Sequence, residues 1–316
     1  MSSTVDLLIL GAGWTSKFLI QLCQENGLQC AATTRTGKEG TVQFDFDPDS
    51  HDSKPYEVLP DARTVLVTFP IKNAGASQRL VRNYQSSRTV NKNTDLQVRF
   101  IQLGATNIWD RTMNAEGALQ IQGPWCDRHT PHNNTLRATC EDELLALSPH
   151  PPTTVLNLAG LWGDQRSPRR WVPRVAPTKD ALKNKGSLHL IHGIDVARAI
   201  LAVHGNFLRA QGKRWILSDN RVYDWWDLAY AWGSPESPGM VHRDPLKDHC
   251  SATSLALDKG RDSSGDNPHP DWVKELMEEQ GIRALPRDVE TLGRALDSRD
   301  FWKTFKINPV KALLEY

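Results

Sequence analysis

The sequence predicts an α/β fold: a doubly wound parallel sheet carrying a smaller, mainly helical C-terminal lobe. Three observations lead there. Strand-length apolar runs alternate with helical patterns over the first two-thirds of the chain, as in a parallel sheet covered on both faces. A glycine turn, Gly11-Ala12-Gly13, stands between the first such run and the first helical pattern. At 316 residues the chain is long for one core and short for two independent domains, which favours one large domain with an appended lobe.

Val5–Leu10 reads as a buried first strand. Residues 17–26 read as a helix with Phe18, Leu19, Leu22 and Cys23 on one face and Gly27 as its stop. Residues 29–34, 41–46 and 64–69 read as strands, the last ended by Pro70. Residues 77–84 have a helical pattern, 98–103 form a fifth strand, 141–147 are the visible part of a helix, and 154–158 a sixth strand. Residues 162–186 are rich in Pro, Arg and Trp without a period, and read as a loop or short helical lobe. A strand at 188–192, a helix at 195–203 and a late strand at 214–218 come next. Asp224 can cap a helix whose face carries Trp225, Leu228, Ala229 and Trp232, with Asp227 placed as in a capping box. Residues 233–270 read as a long loop, and 271–316 as a helical, amphipathic tail. The expected division is 1–160 plus 187–218 for a dinucleotide-binding domain and 161–186 plus 219–316 for a substrate-binding lobe. Six of the eleven tryptophans lie between Trp162 and Trp232.

Composition narrows the function classes. Hydrophobic residues at 39% and charged residues at 24% fit a folded globular chain, and a net charge of +1 gives no basic excess for nucleic acid. No apolar run approaches the roughly 20 residues of a membrane span. The first ten residues lack the basic region and cleavage site of a secretion signal, so a cytoplasmic location is expected. Cys23, Cys30, Cys126, Cys140 and Cys250 are odd in number, widely spaced and free of Cys-x-x-Cys, as reduced thiols are. The expected partner is a small-molecule substrate, with no nucleic acid or membrane, and the chain is read as a monomer or homodimer.

The turn Gly11-Ala12-Gly13-Trp14-Thr15-Ser16 carries the first chemistry. A dinucleotide site of Rossmann type needs a tight turn at the first glycine and a bare backbone at the second, where pyrophosphate approaches the helix N-terminus. Its third position needs a small residue, and Ser16 supplies one in place of glycine. An acid about 20 positions on would bind a ribose 2′-hydroxyl. Here stand Thr33-Thr34-Arg35-Thr36, with no acid until Glu39. Hydroxyls and a guanidinium at Thr34 and Arg35 suit a 2′-phosphate, so NADP(H) is expected, with NAD(H) left open. Asp45 is a candidate acceptor for the adenine amino group and equally a turn residue.

With these pieces placed, the chain resembles the extended or atypical short-chain dehydrogenase/reductase family, in its NAD-dependent epimerase/dehydratase-like branch. The carriers are the Gly11 turn, Thr68-Phe69-Pro70 after the fourth strand, and the run from Gln102-Leu103-Gly104-Ala105-Thr106 to Asp110 after the fifth. Leu158-Ala159-Gly160-Leu161-Trp162-Gly163 and Leu190-Ile191-His192-Gly193-Ile194-Asp195-Val196-Ala197 look like two further family segments. The resemblance implies cofactor contacts at Gly11, Gly13, Trp14, Thr15, Ser16, Thr68, Phe69, Pro70, Gly104 and Ala105.

The family's chemistry uses a Ser or Thr, a Tyr, and a Lys four residues after that Tyr, the Lys lowering the tyrosine pKa for proton transfer. None of Tyr56, Tyr84, Tyr223, Tyr230 and Tyr316 is followed by Lys at that spacing. The family Ser falls at Ala105 beside Thr106, the usual Tyr of the Val-Tyr-Gly run is Trp109, and the Tyr-Lys segment reads His132-Asn133-Asn134-Thr135-Leu136-Arg137. Thr106, His132 and Arg137 are therefore the candidate relay, His132 because imidazole titrates near neutrality, against the alternative of an exposed loop histidine. The pairs His129/His132 and His189/His192 lack further ligands, so no metal is expected. Arg166, Arg169 and Arg170 with Trp162 and Trp171 can clamp an acidic or aromatic substrate or form a solvated loop. Three readings remain open: an NADP-dependent oxidoreductase with a rewired relay, a non-redox isomerase, dehydratase or cyclase on the same scaffold, and a catalytically inactive dinucleotide-binding protein.

Overall fold

The computed structural model describes residues 4–38, 40–88, 97–110, 123–233 and 267–313. Its central sheet has seven strands, all parallel: β1 (Val5–Leu10), β2 (Cys30–Thr34), β3 (Val42–Gln43), β4 (Ala62–Val67), β5 (Arg99–Ala105), β6 (Thr153–Leu158) and β7 (Lys213–Leu217), in the order β7-β6-β5-β4-β1-β2-β3. The order reverses at β1. The chain steps one way to β2 and β3, then returns to β4 and steps the other way, which opens a crevice beyond the carboxyl ends of β1 and β4.

Side-chain alternation explains why both faces are covered. Leu7 and Ile9 point to one face, where they join Leu19 and Cys23 of helix α1 (Trp14–Glu25). Leu8 and Leu10 point to the other, against Leu80, Val81 and Tyr84 of α2 (Ala76–Ser86) and Cys140 and Leu144 of α3 (Leu136–Leu145). Val196, Ile200 and Val203 of α4 (Gly193–Gly205) share the first face with α1, and the two helices pack together. The four described cysteines are unbridged. Among the described residues no helix is long and apolar enough to cross a membrane.

The described residues fall into two compact units, within Met1–Pro168, Gly186–Tyr223 and Asp288–Glu315 for the first, and Arg169–Lys185 and Asp224–Arg287 for the second. The tail departs from expectation. Among the described residues it is α-helical only over His269–Gln280 and Arg299–Phe305, with a 3-10 turn at Val289–Leu292, because Gly281 (φ 65) caps the first helix, and Pro286 and Gly293 (φ 84) break the stretch between the two. From Asp288 on it belongs to the first unit, not to the expected lobe. Ala295–Leu296 pair with Trp125–Cys126, and Phe301, Trp302 and Phe305 enter the core beside Trp215.

In the second unit, Asp224 caps helix Trp225–Gly233 by accepting from the Trp226 N–H at 2.9 Å, as its sequence position predicts. The same carboxylate holds Arg287, whose guanidinium lies over the Trp226 ring. Helices Trp225–Gly233 and His269–Gln280 pack together. Most of the loop expected at 233–270 lies outside the described residues.

Candidate functional site

The crevice at the sheet reversal is a cleft of about 820 Å³, within the range of small-molecule sites. Its floor is the glycine turn. Gly11 has φ +93, and a Cβ there would stand 2.7 Å from Thr68 Oγ1. Its N–H donates to Thr33 Oγ1 at 3.0 Å, and Thr68 Oγ1 donates to its carbonyl at 2.6 Å. The Ala12 N–H donates to the Thr33 carbonyl at 2.6 Å. Three parallel strands, β1, β2 and β4, thus fix one turn.

Gly13 is the residue before α1. A Cβ there would meet nothing within 4 Å, so its backbone is open to an approaching group. The helix starts at Trp14, three residues earlier than the apolar pattern indicates, because it leaves the turn without a connecting loop. Its first-turn amides have no intrahelical acceptors, no side chain caps it, and no acid lies in its first turn. That combination suits an anion.

The cleft wall contains Gly11, Gly13, Trp14, Thr15, Thr34, Arg35, Asp45, Thr68, Phe69 and Pro70 of the expected cofactor residues. Arg35 is exposed at its rim, and among the described residues its guanidinium has no hydrogen-bond or ion-pair partner. Glu39 lies outside the described residues. Thr33, Phe44, Phe46, Lys72, Leu161 and Arg166 also line the cleft, none of them among the expected cofactor residues. Phe46 stacks on Phe69 with ring centres 5.3 Å apart. The alternation Phe44-Asp45-Phe46 was the available signal: it reads as strand, yet the ladder ends at Gln43 and these side chains serve the cleft.

Three expected cofactor residues do not line the cleft. Ser16 is buried, with its hydroxyl donating to the Gly13 carbonyl, so it packs and ties the first turn. Gly104 faces a buried polar cluster: a Cβ there would meet the Asn157 amide and stand 2.6 Å from Glu141 Oε1. The Ala105 carbonyl accepts from Asn157 Nδ2 at 3.2 Å. The glycine at 104 is needed for this close packing. The cluster also holds buried Arg214, paired with Glu141 and bonded to Asn157 Oδ1 at 3.1 Å.

The candidate relay residues do not line the cleft either. Thr106 is buried, and its carbonyl accepts from Arg294 Nη1 at 2.9 Å. Arg137 donates to the Leu103 carbonyl at 3.3 Å and lies 3.4 Å from Glu141 Oε1. His132 has Nε2 3.5 Å from Asp142 Oδ1, and its ring stands nearly perpendicular to that of Trp109. Tyr84, the one tyrosine followed by arginine at the fourth position, donates to the Pro60 carbonyl, and burial pushes its phenol up to about 12. That is the reverse of an activated tyrosine.

The arginine–tryptophan clamp is rearranged. Arg166 lies over the Trp14 ring, 4.5 Å from its centre. Trp162 instead packs against His192, while Arg169 donates to the Trp232 carbonyl in the second unit. His192 caps α4 by accepting from the Ile194 N–H, and burial lowers its pKa. Buried Asp195 accepts from the Val310 and Lys311 N–H groups and so holds the tail. His192 and Asp195 thus hold the start of α4 and the tail. Among the described residues no group of three metal-ligating side chains occurs.

No family model matches the sequence, and no curated protein matches it. Solved structures do. A short-chain dehydrogenase/reductase superfamily protein from Agrobacterium tumefaciens with bound NAD matches with a TM-score of 0.57 at 10% identity, over 98% of this chain and 93% of that one. dTDP-glucose 4,6-dehydratase from Bacillus anthracis in complex with NAD gives 0.55 at 11% identity, over 98% and 92%. RMD from Pseudomonas aeruginosa complexed with NADPH gives 0.54 at 11% identity, over 97% and 94%. At these identities the likeness is one of fold, and it agrees with the strand order and the turn: the chain has the fold of the short-chain dehydrogenases/reductases.

Proposed function

We propose that the cleft holds a nicotinamide dinucleotide, NADP(H) in preference to NAD(H), and that the protein is an oxidoreductase-like enzyme for a small organic substrate. The observation that carries the reading is the pairing of the bare Gly13 turn with Arg35 at the rim of the same cleft. The open amides of α1 suit the diphosphate, and the guanidinium suits a 2′-phosphate through paired N–H donors. A bound nicotinamide supplies hydride chemistry. This chain's part is to grip the diphosphate, select the 2′-phosphate and deliver a proton by a relay other than Ser-Tyr-Lys. His132, beside the Asp142 carboxylate, and the Thr106 hydroxyl are the proposed relay groups. Arg137, already bonded to the Leu103 carbonyl, is proposed to orient. The second unit is proposed as the substrate lobe.

A second reading rests on one observation: Thr106, His132 and Arg137 do not line the cleft. It favours a non-redox isomerase, dehydratase or cyclase, or a dinucleotide-binding protein without turnover. Calorimetric titration with NADPH and NADH tests the cofactor. NADPH is expected to bind roughly tenfold more tightly or better, as for a hydrogen-bonded charge pair, with Arg35→Ala erasing the difference. Equal affinities in the wild type would defeat the NADP(H) preference. NADPH oxidation across a carbonyl panel separates the first reading from the second.

A further inference from the structure

Arg166 reaches the cleft from a loop far along the chain from the glycine turn, and the loop is built to hold it there. Gly163 (φ 108) and Asp164 (φ 51) turn the backbone sharply, and Gly163 and Arg166 exchange N–H and carbonyl bonds at 2.9 and 3.0 Å. Two side chains of α1 fasten this turn: Trp14 Nε1 donates to the Gly163 carbonyl at 3.2 Å, and Lys17 Nζ pairs with Asp164 at 2.7 Å. The Lys17 ammonium holds the Asp164 carboxyl below its usual range. The acid of the turn is therefore spent on Lys17. Arg166 lies over the Trp14 ring face, and among the described residues it has no carboxylate within ion-pair distance.

The electrostatics of this arrangement are incomplete. A guanidinium is fixed over the first residue of α1, where the helix already presents its positive end and carries no acid in its first turn. The indole face offsets part of that charge. The remainder is exposed to solvent and suits an anion in the cleft that Arg166, Gly11 and Gly13 line together. Resting on the dinucleotide reading above, we infer that Arg166 is a second binding group for the cofactor's diphosphate, held in place by Trp14 and acting opposite the helix amides. It would divide the work with Arg35: Arg166 grips what NADP(H) and NAD(H) share, and Arg35 grips what distinguishes them.

Calorimetric titration of wild type and Arg166→Ala with NADPH, NADH, ADP and adenosine tests this. The expected result is a loss of roughly tenfold or more in affinity for NADPH, NADH and ADP alike, as for one charged hydrogen bond, with adenosine unchanged. Arg166→Lys is expected to recover part of the loss, since it keeps the charge and gives up the planar stack. Unchanged binding by Arg166→Ala, or a loss confined to NADPH, would overturn the assignment, the second outcome placing Arg166 at the 2′-phosphate. A wild-type protein that binds neither dinucleotide would instead overturn the cofactor reading itself and this inference with it. The side chain is exposed, so the alanine variant is expected to keep the wild-type melting temperature.

Discussion

The Gly11 N–H donates to Thr33 Oγ1 at 3.0 Å, which fastens the turn after β1 to the end of β2. On its other side, Gly11 lies so close to Thr68 that a Cβ would stand 2.7 Å from the hydroxyl oxygen. Gly11→Ala would therefore need both a left-handed φ, at about 1–2 kcal/mol, and displacement of the Thr68 bond. The expected outcome is a fall of several degrees in melting temperature and a loss of NADPH affinity exceeding tenfold. Gly13→Ala, with open space at its Cβ, is expected to keep the wild-type melting temperature while weakening the dinucleotide. Paired thermal melts and titrations read both. A Gly13→Ala protein that binds as well as wild type would show that nothing approaches that backbone.

Gly104 leads to the opposite expectation. Its Cα faces Asn157 and Glu141, and Asn157 Nδ2 donates to Glu141 Oε2 at 2.8 Å. A methyl group at 104 would separate groups that hold a buried arginine, so Gly104→Ala is expected to cost about 1–3 kcal/mol, as overpacking does. The dinucleotide affinity of the folded protein should not change. Urea unfolding monitored alongside titration decides it. A wild-type unfolding midpoint combined with weakened NADPH binding would return Gly104 to the cofactor site.

These two glycines mark where the sequence was readable. Gly11 sits between a strand and a helix whose periodicities are local, so its role could be read from its neighbours. Gly104 looks the same in sequence, yet the partners that require glycine come from α3 and β6, and the arginine they hold lies 73 residues from Glu141. The third strand is shorter than its sequence pattern because Phe44 and Phe46, which alternate as strand residues do, line a cleft. The pairing of the tail is illegible in the sequence for a related reason. Its amphipathic pattern specified burial, but not that Ala295–Leu296 would pair with Trp125–Cys126. The contact between Arg166 and Trp14 was equally out of reach, since the nearby Trp14–Gly163 bond spans 149 residues.

Two buried groups of the first unit make stability depend on pH in opposite directions. His189 accepts from the Leu296 N–H through Nε2, and burial, assisted by Arg294, holds its pKa down at about 3. The folded protein binds this proton less readily than the unfolded chain. Stability is therefore lost on acidification, by on the order of 5 kcal/mol between about pH 6.5 and 3. Asp219 is also buried, and burial pushes its carboxyl up to about 6 despite the bond donated by Tyr223 at 2.6 Å. Here the folded protein binds the proton more readily, so this group favours folding below about pH 4 and opposes it above about 6. Asp219→Asn, which keeps an acceptor for Tyr223, is expected to raise stability by up to about 3 kcal/mol at pH 7.5 and to change little at pH 4. His189→Gln is expected to cost stability at pH 7.5 and to flatten the acid limb between pH 6.5 and 4. Denaturant unfolding of the three proteins at those pH values measures both effects. An Asp219→Asn protein less stable than wild type at pH 7.5 would mean that the ionised carboxylate is the form the fold prefers.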